Sequence, residues 1–375
     1  MINIFEPNIG RESIEKLIEV FDSKWLGRGK YVDQFEDIFG KLLKFNVGGI
    51  TTLSSCSDAI FSVFDIFNLD EGDEVLISSI SFPAIGNACI AKKLNYKIID
   101  VDKFSGNVTL KTIEKELTKK TKAIFVTHYG GIPLNIQAIR KLVGKSVFIF
   151  EDAACALGSE SNEIPSGTEG DFGCWSFDAM KIITCGEGGA VYLKDNEKLK
   201  KAKQLYYLGL PLQTKSGIDR SNIDQRWWEY EIELPGRRSV FTNINAAIGL
   251  PQINEIDKIL DRRKKIRKFY EYELDMIGLN YSKQDNPNDK YSNYFFTIIS
   301  PHRDELANYL KSNNIYTTFR YYPLNKLKIN SNLQIDCPNA DWFSLNALNI
   351  PIHQNLTDDD IQYIVNKIRK FFNVK

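Results

Sequence analysis

A lysine in the middle of the chain has the surroundings of a nucleophilic amine. Lys181 lies in the apolar stretch WSFDAMKIITCGEGGAV, which contains the glycine cluster GEGG. A lysine in such a setting either extends its ammonium group to water or has a lowered pKa and reacts as a neutral amine. We expect the apolar neighbours Met180, Ile182 and Ile183 to lower the pKa of Lys181. The glycine cluster, which allows a ligand to approach the backbone closely, favours the reactive alternative.

Asp152 supplies a second group for the same chemistry. It ends the apolar run SVFIFE and is followed by the small residues Ala153 and Ala154. Ligands of open α/β sheets bind beyond the carboxyl ends of the strands, although an aspartate there can also cap a helix or join a buried ion pair. A lysine that forms a Schiff base and an aspartate that pairs with a pyridinium nitrogen are the signature of pyridoxal phosphate enzymes. Lys181 and Asp152 together therefore predict this cofactor.

The phosphate of such a cofactor needs hydrogen-bond donors. The segment SSCSDAI opens a predicted helix over residues 57–67, so the amides of Ser57 and Asp58 are expected at its positive end. The same pattern is also typical of an ordinary helix N-cap. Ser176 lies upstream of Lys181, and Phe82 follows a predicted strand, where it either stacks on the cofactor ring or packs in the core.

The elements that position these residues alternate between strand and helix in the first half of the chain. Short runs rich in Val and Ile occupy residues 74–78, 97–102, 122–128 and 146–154, as expected for strands buried on both faces of a parallel sheet. Two further strand-like pieces, 173–177 and 188–194, are close enough to form a hairpin-like addition. The pattern predicts an α/β fold: a large domain with a mostly parallel sheet flanked by helices.

The pattern of predicted helices and strands changes after residue 250. A long helical pattern runs from Thr242 to about Met276 with a break expected at Pro251, a strand is predicted over 291–299, and Ser300 is expected to cap the next helix. Thr357 and Asp360 have the spacing of a capping box. We therefore predict a large domain over residues 1–250 and a smaller α+β domain over 251–375.

Composition excludes several classes of protein. The 375 residues are 43% apolar and 26% charged, which is typical of globular proteins, and 48 basic residues balance 48 acidic ones. The absence of a net charge argues against a nucleic-acid or membrane-surface partner. Neither a signal peptide nor a long apolar run is recognised, so a soluble, cytoplasmic protein is expected. The three histidines and six cysteines lack metal-site spacing, so no metal centre is expected.

A series of motifs resembles the DegT family of nucleotide-sugar aminotransferases, which are pyridoxal phosphate enzymes of the aspartate aminotransferase fold type, fold type I. The resemblance runs almost from end to end and keeps the family's order. The segments that carry it are SKWLGRGKYVDQFEDIF (23–39), LDEGDEVLISSISFPAIGNA (69–88), THYGGIPLNI (127–136), EDAACALGS (151–159), SFDAMKIITCGEGGAV (176–191), NINAAIGLPQ (243–252) and IPIHQNLTDDDI (350–361).

The resemblance assigns roles to individual residues. It implies that Lys181 is the Schiff-base lysine and proton shuttle and that Asp152 is the partner of the ring nitrogen. It further implies that Ser176, Ser57 and the Asp58 amide bind the phosphate. Phe82 would stack on the ring. His128 lies in the family's H-Y-G-G-type loop, where it either contacts the ligand or has a structural role. Because the family's sites lie between subunits, a homodimer with shared active sites is also implied.

Two positions depart from the family pattern. Cys155 stands where the family usually has Gln, so a hydrogen bond to the cofactor's phenolic oxygen is lost or made differently. Arg238 occupies the place of an Asn that reaches the phosphate in the neighbouring subunit. We expect Arg238 to bind that phosphate or an anionic group of the substrate; the alternative is a surface arginine at the dimer rim. Trp227 and Trp228 either line the substrate mouth or pack at the dimer seam, and we favour the seam.

The predicted reaction is transamination of a nucleotide-linked keto sugar to an amino sugar, with L-glutamate as the donor. A second hypothesis keeps the cofactor but replaces the acceptor with a phosphorylated small ketone or a keto cyclitol, which Arg237 and Arg238 would suit. A third is a non-catalytic cofactor-binding sensor. The presence of both Lys181 and Asp152 argues against the sensor.

Overall fold

A computed structural model describes the chain except for residues 212–225, 227, 230, 284, 285, 287, 334 and 373–375. Its centre is a seven-stranded sheet of β1 Gly49–Leu53, β2 Glu74–Ser78, β3 Asn95–Ile99, β4 Thr121–Thr127, β5 Phe148–Asp152, β8 Phe172–Ser176 and β9 Gly189–Leu193. These strands lie in the order β1-β9-β8-β5-β4-β2-β3. A separate two-stranded ribbon consists of β6 Glu160–Ser161 and β7 Ile164–Pro165.

The sheet is mostly parallel, as its apolar runs predict. Strands β2, β3, β4, β5 and β8 pair in parallel, whereas β9 is antiparallel to both β8 and β1. The β8–β9 pair is the predicted hairpin-like addition. Parallel pairing brings the carboxyl ends of β4, β5 and β8 to one edge, so the residues that follow these strands meet there.

Helices cover the sheet and carry the site residues that the strands do not. The helices that precede β9 in the chain are α1 Arg11–Asp22, α2 Lys30–Leu43, α3 Cys56–Ile66, α4 Ala84–Ala91, α5 Leu110–Glu116 and α6 Ile136–Val143. They are followed by α7 Asn196–Leu205, α8 Asn243–Asn254, α9 Ile256–Asp275, α10 Arg303–Ser312, α11 Pro338–Asn346 and α12 Asp358–Phe371. None of the helices in the described residues is both long and apolar enough to cross a membrane.

The C-terminal part contains a small antiparallel sheet with its own apolar cluster. Its strands are β10 Asn280–Tyr281, β11 Phe296–Ile299 and β12 Ala347–Ile350. Buried residues of α9, α10 and α12 pack around it, among them Ile266, Leu306 and Ile364. Other C-terminal residues, including Tyr294 and Phe343, belong instead to the larger cluster around the central sheet. The division at residue 250 stays a prediction.

Three local predictions for this part need correction. Pro251 lies inside α8, and the break comes at Glu255, because the proline removes one backbone donor without ending the helix. The strand predicted over 291–299 is confined to Phe296–Ile299. Ser300 does not cap α10; its hydroxyl accepts from the amide of His302 at 3.1 Å, and the helix begins at Arg303. The predicted capping box of Thr357 and Asp360 is confirmed at the start of α12.

Candidate active site

A cavity of about 290 Å³ lies at the carboxyl edge of the central sheet. Strands β4, β5 and β8, the start of α3 and the loop after β8 form its walls. Six of the eight residues predicted for the site line it: Ser57, Phe82, Asp152, Cys155, Ser176 and Lys181. Asp58 and Arg238 are not among the lining residues.

Lys181 is buried in this cavity among groups that can be ionised. Its Nζ atom lies 3.9 Å from Cys155 Sγ, 3.8 Å from an Asp178 carboxylate oxygen and 5.0 Å from the centre of the Tyr294 ring. Burial lowers the pKa of Lys181, but electrostatic interactions with the acidic groups Cys155, Tyr294, Tyr321 and Asp178 raise it well above its usual value. The lowered pKa expected from the apolar neighbours is therefore wrong for this site, because acidic side chains surround the amine.

Asp152 is buried at the end of β5, where the sheet fixes its position. One carboxylate oxygen accepts from the amide of Ala154 at 3.0 Å. Burial raises the pKa of Asp152, whereas this hydrogen bond and the nearby Lys181 and His128 oppose the rise. A buried carboxylate with this limited hydrogen bonding can accept a further charge-assisted hydrogen bond from a cationic ligand nitrogen.

His128 is held by protein groups on both sides of its ring. Its Nδ1 accepts from the amide of Leu134 at 3.0 Å, so Nε2 carries the proton that it donates to Glu151 at 2.8 Å. Glu151 also accepts three backbone amide hydrogen bonds, from Gly167, Glu169 and Gly170. Both ring nitrogens are thus used in anchoring the loop after β4 to β5.

The start of α3 offers hydroxyl groups and a positive helix end to the cavity. Ser55 is the N-cap and accepts from the amide of Asp58 at 3.2 Å, so this amide has a partner within the protein. The Asp58 carboxylate forms an ion pair with Arg237, with an Nε–Oδ1 distance of 2.6 Å. Ser57 lines the cavity one residue earlier in the same turn.

The other residues predicted to contact the cofactor differ in their exposure and in their partners. The Phe82 side chain is 45% exposed, and its ring lies 5.5 Å from that of Tyr321 in a T-shaped arrangement. The Ser176 hydroxyl donates to Asp178 at 3.4 Å. Burial raises the pKa of the Cys155 thiol to about 11, so the thiol is neutral at pH 7.

Arg238 is exposed on the segment before α8. Its guanidinium lies 5.1 Å from the centre of the Tyr207 ring, and the two residues form an isolated antiparallel bridge. Trp228 is 57% exposed, and Trp227 lies outside the described residues. The predicted roles of these three residues involve a second subunit or a substrate and stay predictions.

Several residues of the cavity were not found from the sequence. Tyr129, Arg320 and Tyr321 line it, and Tyr294 stacks on Phe5 near Lys181, with ring centres 5.5 Å apart. All but Tyr129 come from segments far from residues 150–190, and only tertiary folding brings them together. No spacing along the chain indicates such a meeting.

Cys56, Asp152 and Cys174 also come together, although they are distant in sequence. One ligand atom from each lies within 4.8 Å of the others, and all three side chains are buried. Buried carboxylates and thiols in this arrangement can hold a metal ion. The expectation that the protein has no metal centre, which rested on sequence spacing, stays a prediction.

The donor set of the cavity fits pyridoxal phosphate. Lys181 offers an amine and Asp152 a buried carboxylate, while Ser57, Ser176 and the start of α3 offer hydroxyl and amide donors. These are the groups needed for an aldehyde carbon, a pyridinium nitrogen and a phosphate, respectively.

Comparisons with known proteins identify relatives over the whole length of the chain. The sequence profile of the DegT/DnrJ/EryC1/StrS aminotransferase family matches residues 7–369. The dTDP-4-dehydro-2,3,6-trideoxy-D-glucose 4-aminotransferase of Saccharopolyspora spinosa is 33% identical over 376 residues, which cover 99% of this chain and 96% of that protein. The GDP-perosamine synthase of Vibrio cholerae is 29% identical over 383 residues, with all of both chains covered.

Solved structures agree with the sequence relatives. The aminotransferase TlmJ from Streptoalloteichus hindustanus superposes with a TM-score of 0.92 at 33% identity, covering 100% of this chain and 99% of that one. The agreement confirms the predicted fold class, the large α/β arrangement of fold type I with a smaller C-terminal part.

Proposed function

Since the chain belongs to the DegT/DnrJ/EryC1/StrS aminotransferase family, whose members depend on pyridoxal phosphate, we propose that it converts a nucleotide-linked keto sugar to an amino sugar. We propose L-glutamate as the amino donor. The observation that carries the proposal is the presence of Lys181 and Asp152 in one cavity, whose walls also offer hydrogen-bond donors for a phosphate.

The names of the relatives support the class of acceptor. One relative is named as acting on a dTDP-linked keto sugar, and another is named as a synthase of a GDP-linked amino sugar. Both relatives match nearly the whole chain, and both names refer to a sugar carried on a nucleoside diphosphate. We therefore propose a nucleotide-linked keto sugar as the acceptor.

Lys181 and Asp152 perform the central tasks in this proposal. Bound pyridoxal phosphate supplies an electron-accepting ring that allows the donor to lose its Cα proton. Lys181 would hold the cofactor at its aldehyde carbon and would move the proton through its Nζ atom. Asp152 would pair with the ring nitrogen and keep it protonated.

The remaining predicted residues hold and orient the cofactor. Ser57, Ser176 and the positive end of α3 would bind the phosphate, while the Asp58 side chain stays paired with Arg237. Phe82 would cover one face of the ring, and Cys155 would lie beside Lys181. We propose that two copies of the chain form a homodimer in which Arg238 reaches the partner's phosphate or substrate.

The experiment is an acceptor comparison with the purified protein, pyridoxal phosphate and L-glutamate. Nucleotide-linked 3-keto and 4-keto sugars are compared with phosphorylated small ketones and keto cyclitols, and 2-oxoglutarate and aminated products are measured by mass spectrometry. The proposal predicts amination of a nucleotide-linked sugar by the wild type and none by Lys181→Ala. Amination of the small ketones or cyclitols alone would replace the acceptor class, and failure of every acceptor with every amino donor would contradict the proposed function.

A further inference from the structure

Arg320 brings a positive charge into the wall of the same cavity. Its Nη2 atom lies 2.9 Å from the sulfur of Met180, and its Cζ atom lies 4.8 Å from the centre of the Phe5 ring. The backbone is held as well: the Arg320 amide donates to the Asn349 side chain at 2.9 Å, and the Arg320 carbonyl accepts from the Tyr129 hydroxyl. The guanidinium is therefore positioned by the fold.

Among the described residues, the contacts of this guanidinium are with neutral groups. Within the described part of the chain, no carboxylate oxygen lies within 4 Å of it; its contacts are a thioether and an aromatic face. Arg237 differs, because Asp58 forms an ion pair with it at 2.6 Å. A half-buried guanidinium without a carboxylate partner retains its charge and its bidentate geometry for an incoming anion.

The position of Arg320 indicates which of the anions in the proposed reaction it binds. Met180, which it contacts, immediately precedes Lys181, whereas the donors proposed for the cofactor's phosphate are on α3 and at Ser176. The carboxylate of an amino acid is bonded directly to the carbon that reacts near Lys181. The diphosphate of a nucleotide sugar is separated from its carbonyl carbon by part of the sugar ring.

We propose that Arg320 binds the α-carboxylate of the amino donor and so distinguishes amino acids from simple amines. This inference rests on the proposed function and assigns a specificity-determining residue to its first half. Arg320 and the carboxylate form a charge-assisted, bidentate pair that orients the Cα–H bond toward Lys181.

The test follows the visible absorption of the bound cofactor in rapid-mixing experiments. Wild type, Arg320→Met and Arg320→Lys are mixed with L-glutamate, with L-isoglutamine, in which an amide replaces the α-carboxylate, and with the nucleotide-linked amino sugar, which drives the reverse half-reaction. Far-ultraviolet circular dichroism and the starting cofactor spectrum establish that each variant is folded and loaded.

The proposal predicts that Arg320→Met lowers kcat/KM for L-glutamate by about 10- to 100-fold, as expected for loss of a hydrogen-bonded charge pair. The rates with isoglutamine and with the amino sugar should stay within about twofold of wild type, and Arg320→Lys should be intermediate with glutamate.

An unchanged rate with glutamate overturns the proposal. So does a loss confined to the amino sugar, which would assign Arg320 to the nucleotide's diphosphate, or an equal loss with all three substrates. If wild type reacts with neither an amino acid nor an amino sugar, the proposed function fails instead, so the two failures are distinguishable.

Discussion

The Lys181 Nζ atom lies 3.8 Å from a carboxylate oxygen of Asp178. The thiol of Cys155, 3.9 Å from Nζ, is neutral at pH 7 because burial raises its pKa to about 11. Burial likewise raises the pKa of Tyr294 to about 12. The pKa of Lys181 itself is raised well above its usual value, so the amine is a cation at neutral pH, although it must be neutral to bind an aldehyde.

The rate at which the cofactor-free protein binds pyridoxal phosphate through Lys181 should rise with pH. A raised pKa means that the neutral amine is scarce at pH 7, and its fraction increases about tenfold per pH unit below that pKa. The measurement is the rate of appearance of the visible cofactor band between pH 7 and pH 9.5. Asp178→Asn removes the carboxylate that lies 3.8 Å from Nζ and helps to raise the pKa of Lys181, so it should increase the rate at pH 7 several-fold. A rate independent of pH in both proteins would contradict this account.

Asp152→Asn should separate cofactor binding from catalysis. The amide is nearly isosteric with the carboxylate, so the fold and the visible band should persist, but an amide cannot keep the ring nitrogen protonated. We expect the reaction with L-glutamate to slow by about 100-fold or more, the scale of a lost acid–base partner. Rapid mixing of the loaded variant with glutamate measures this rate, and a rate within a few-fold of wild type would argue against the proposed role.

Glu151→Ala should destabilise the protein strongly. The change removes the acceptor for His128 and for three backbone amides and leaves these buried donors without partners. We expect a loss of about 3–5 kcal/mol in the free energy of unfolding, measured by urea denaturation. The control Glu114→Ala, at an exposed position of α5, should change it by no more than about 0.5 kcal/mol. Equal stability of the two variants would show that the network is not structural.

Arg238→Ala tests the predicted contribution of one subunit to the site of the other. Loss of a charged contact to a phosphate should weaken cofactor retention or raise the substrate KM by about tenfold or more. Cofactor release during dialysis and the KM for the keto sugar are the two readouts. The control is Arg11→Ala, which changes an exposed arginine on α1 that forms an exposed ion pair with Glu15. If neither quantity changes more than in this control, Arg238 is a surface residue.

Local sequence patterns were sufficient for the parallel sheet and for some helix ends. The runs that became β2, β4 and β5 are apolar because helices cover both faces of the sheet. Strand β1 was not predicted, because Thr51 and Thr52 are polar residues and the local sequence does not indicate that they are buried. Thr52 donates to the carboxylate of Glu36 through both its amide and its hydroxyl, a long-range partnership that periodicity does not indicate.

The candidate site was predictable where its chemistry depends on short motifs. Lys181 and Asp152 were recognised by residue type and setting, and the structure places them in one cavity. Arg320 and Tyr321 were not found, since their segment reaches the cavity only through packing of the C-terminal part. The rise in the pKa of Lys181 was not predicted either, because the acidic groups around it come from several separate segments of the chain.

The most direct test of the central claim is the visible spectrum of the purified protein with pyridoxal phosphate, before and after addition of L-glutamate. The account predicts a band of lysine-bound cofactor that bleaches with glutamate, that is absent in Lys181→Ala, and that is retained in the exposed-lysine control Lys311→Ala. A protein that forms no such band with the cofactor, or a Lys181→Ala variant that keeps both the band and its bleaching, would contradict the claim that Lys181 is the reactive amine.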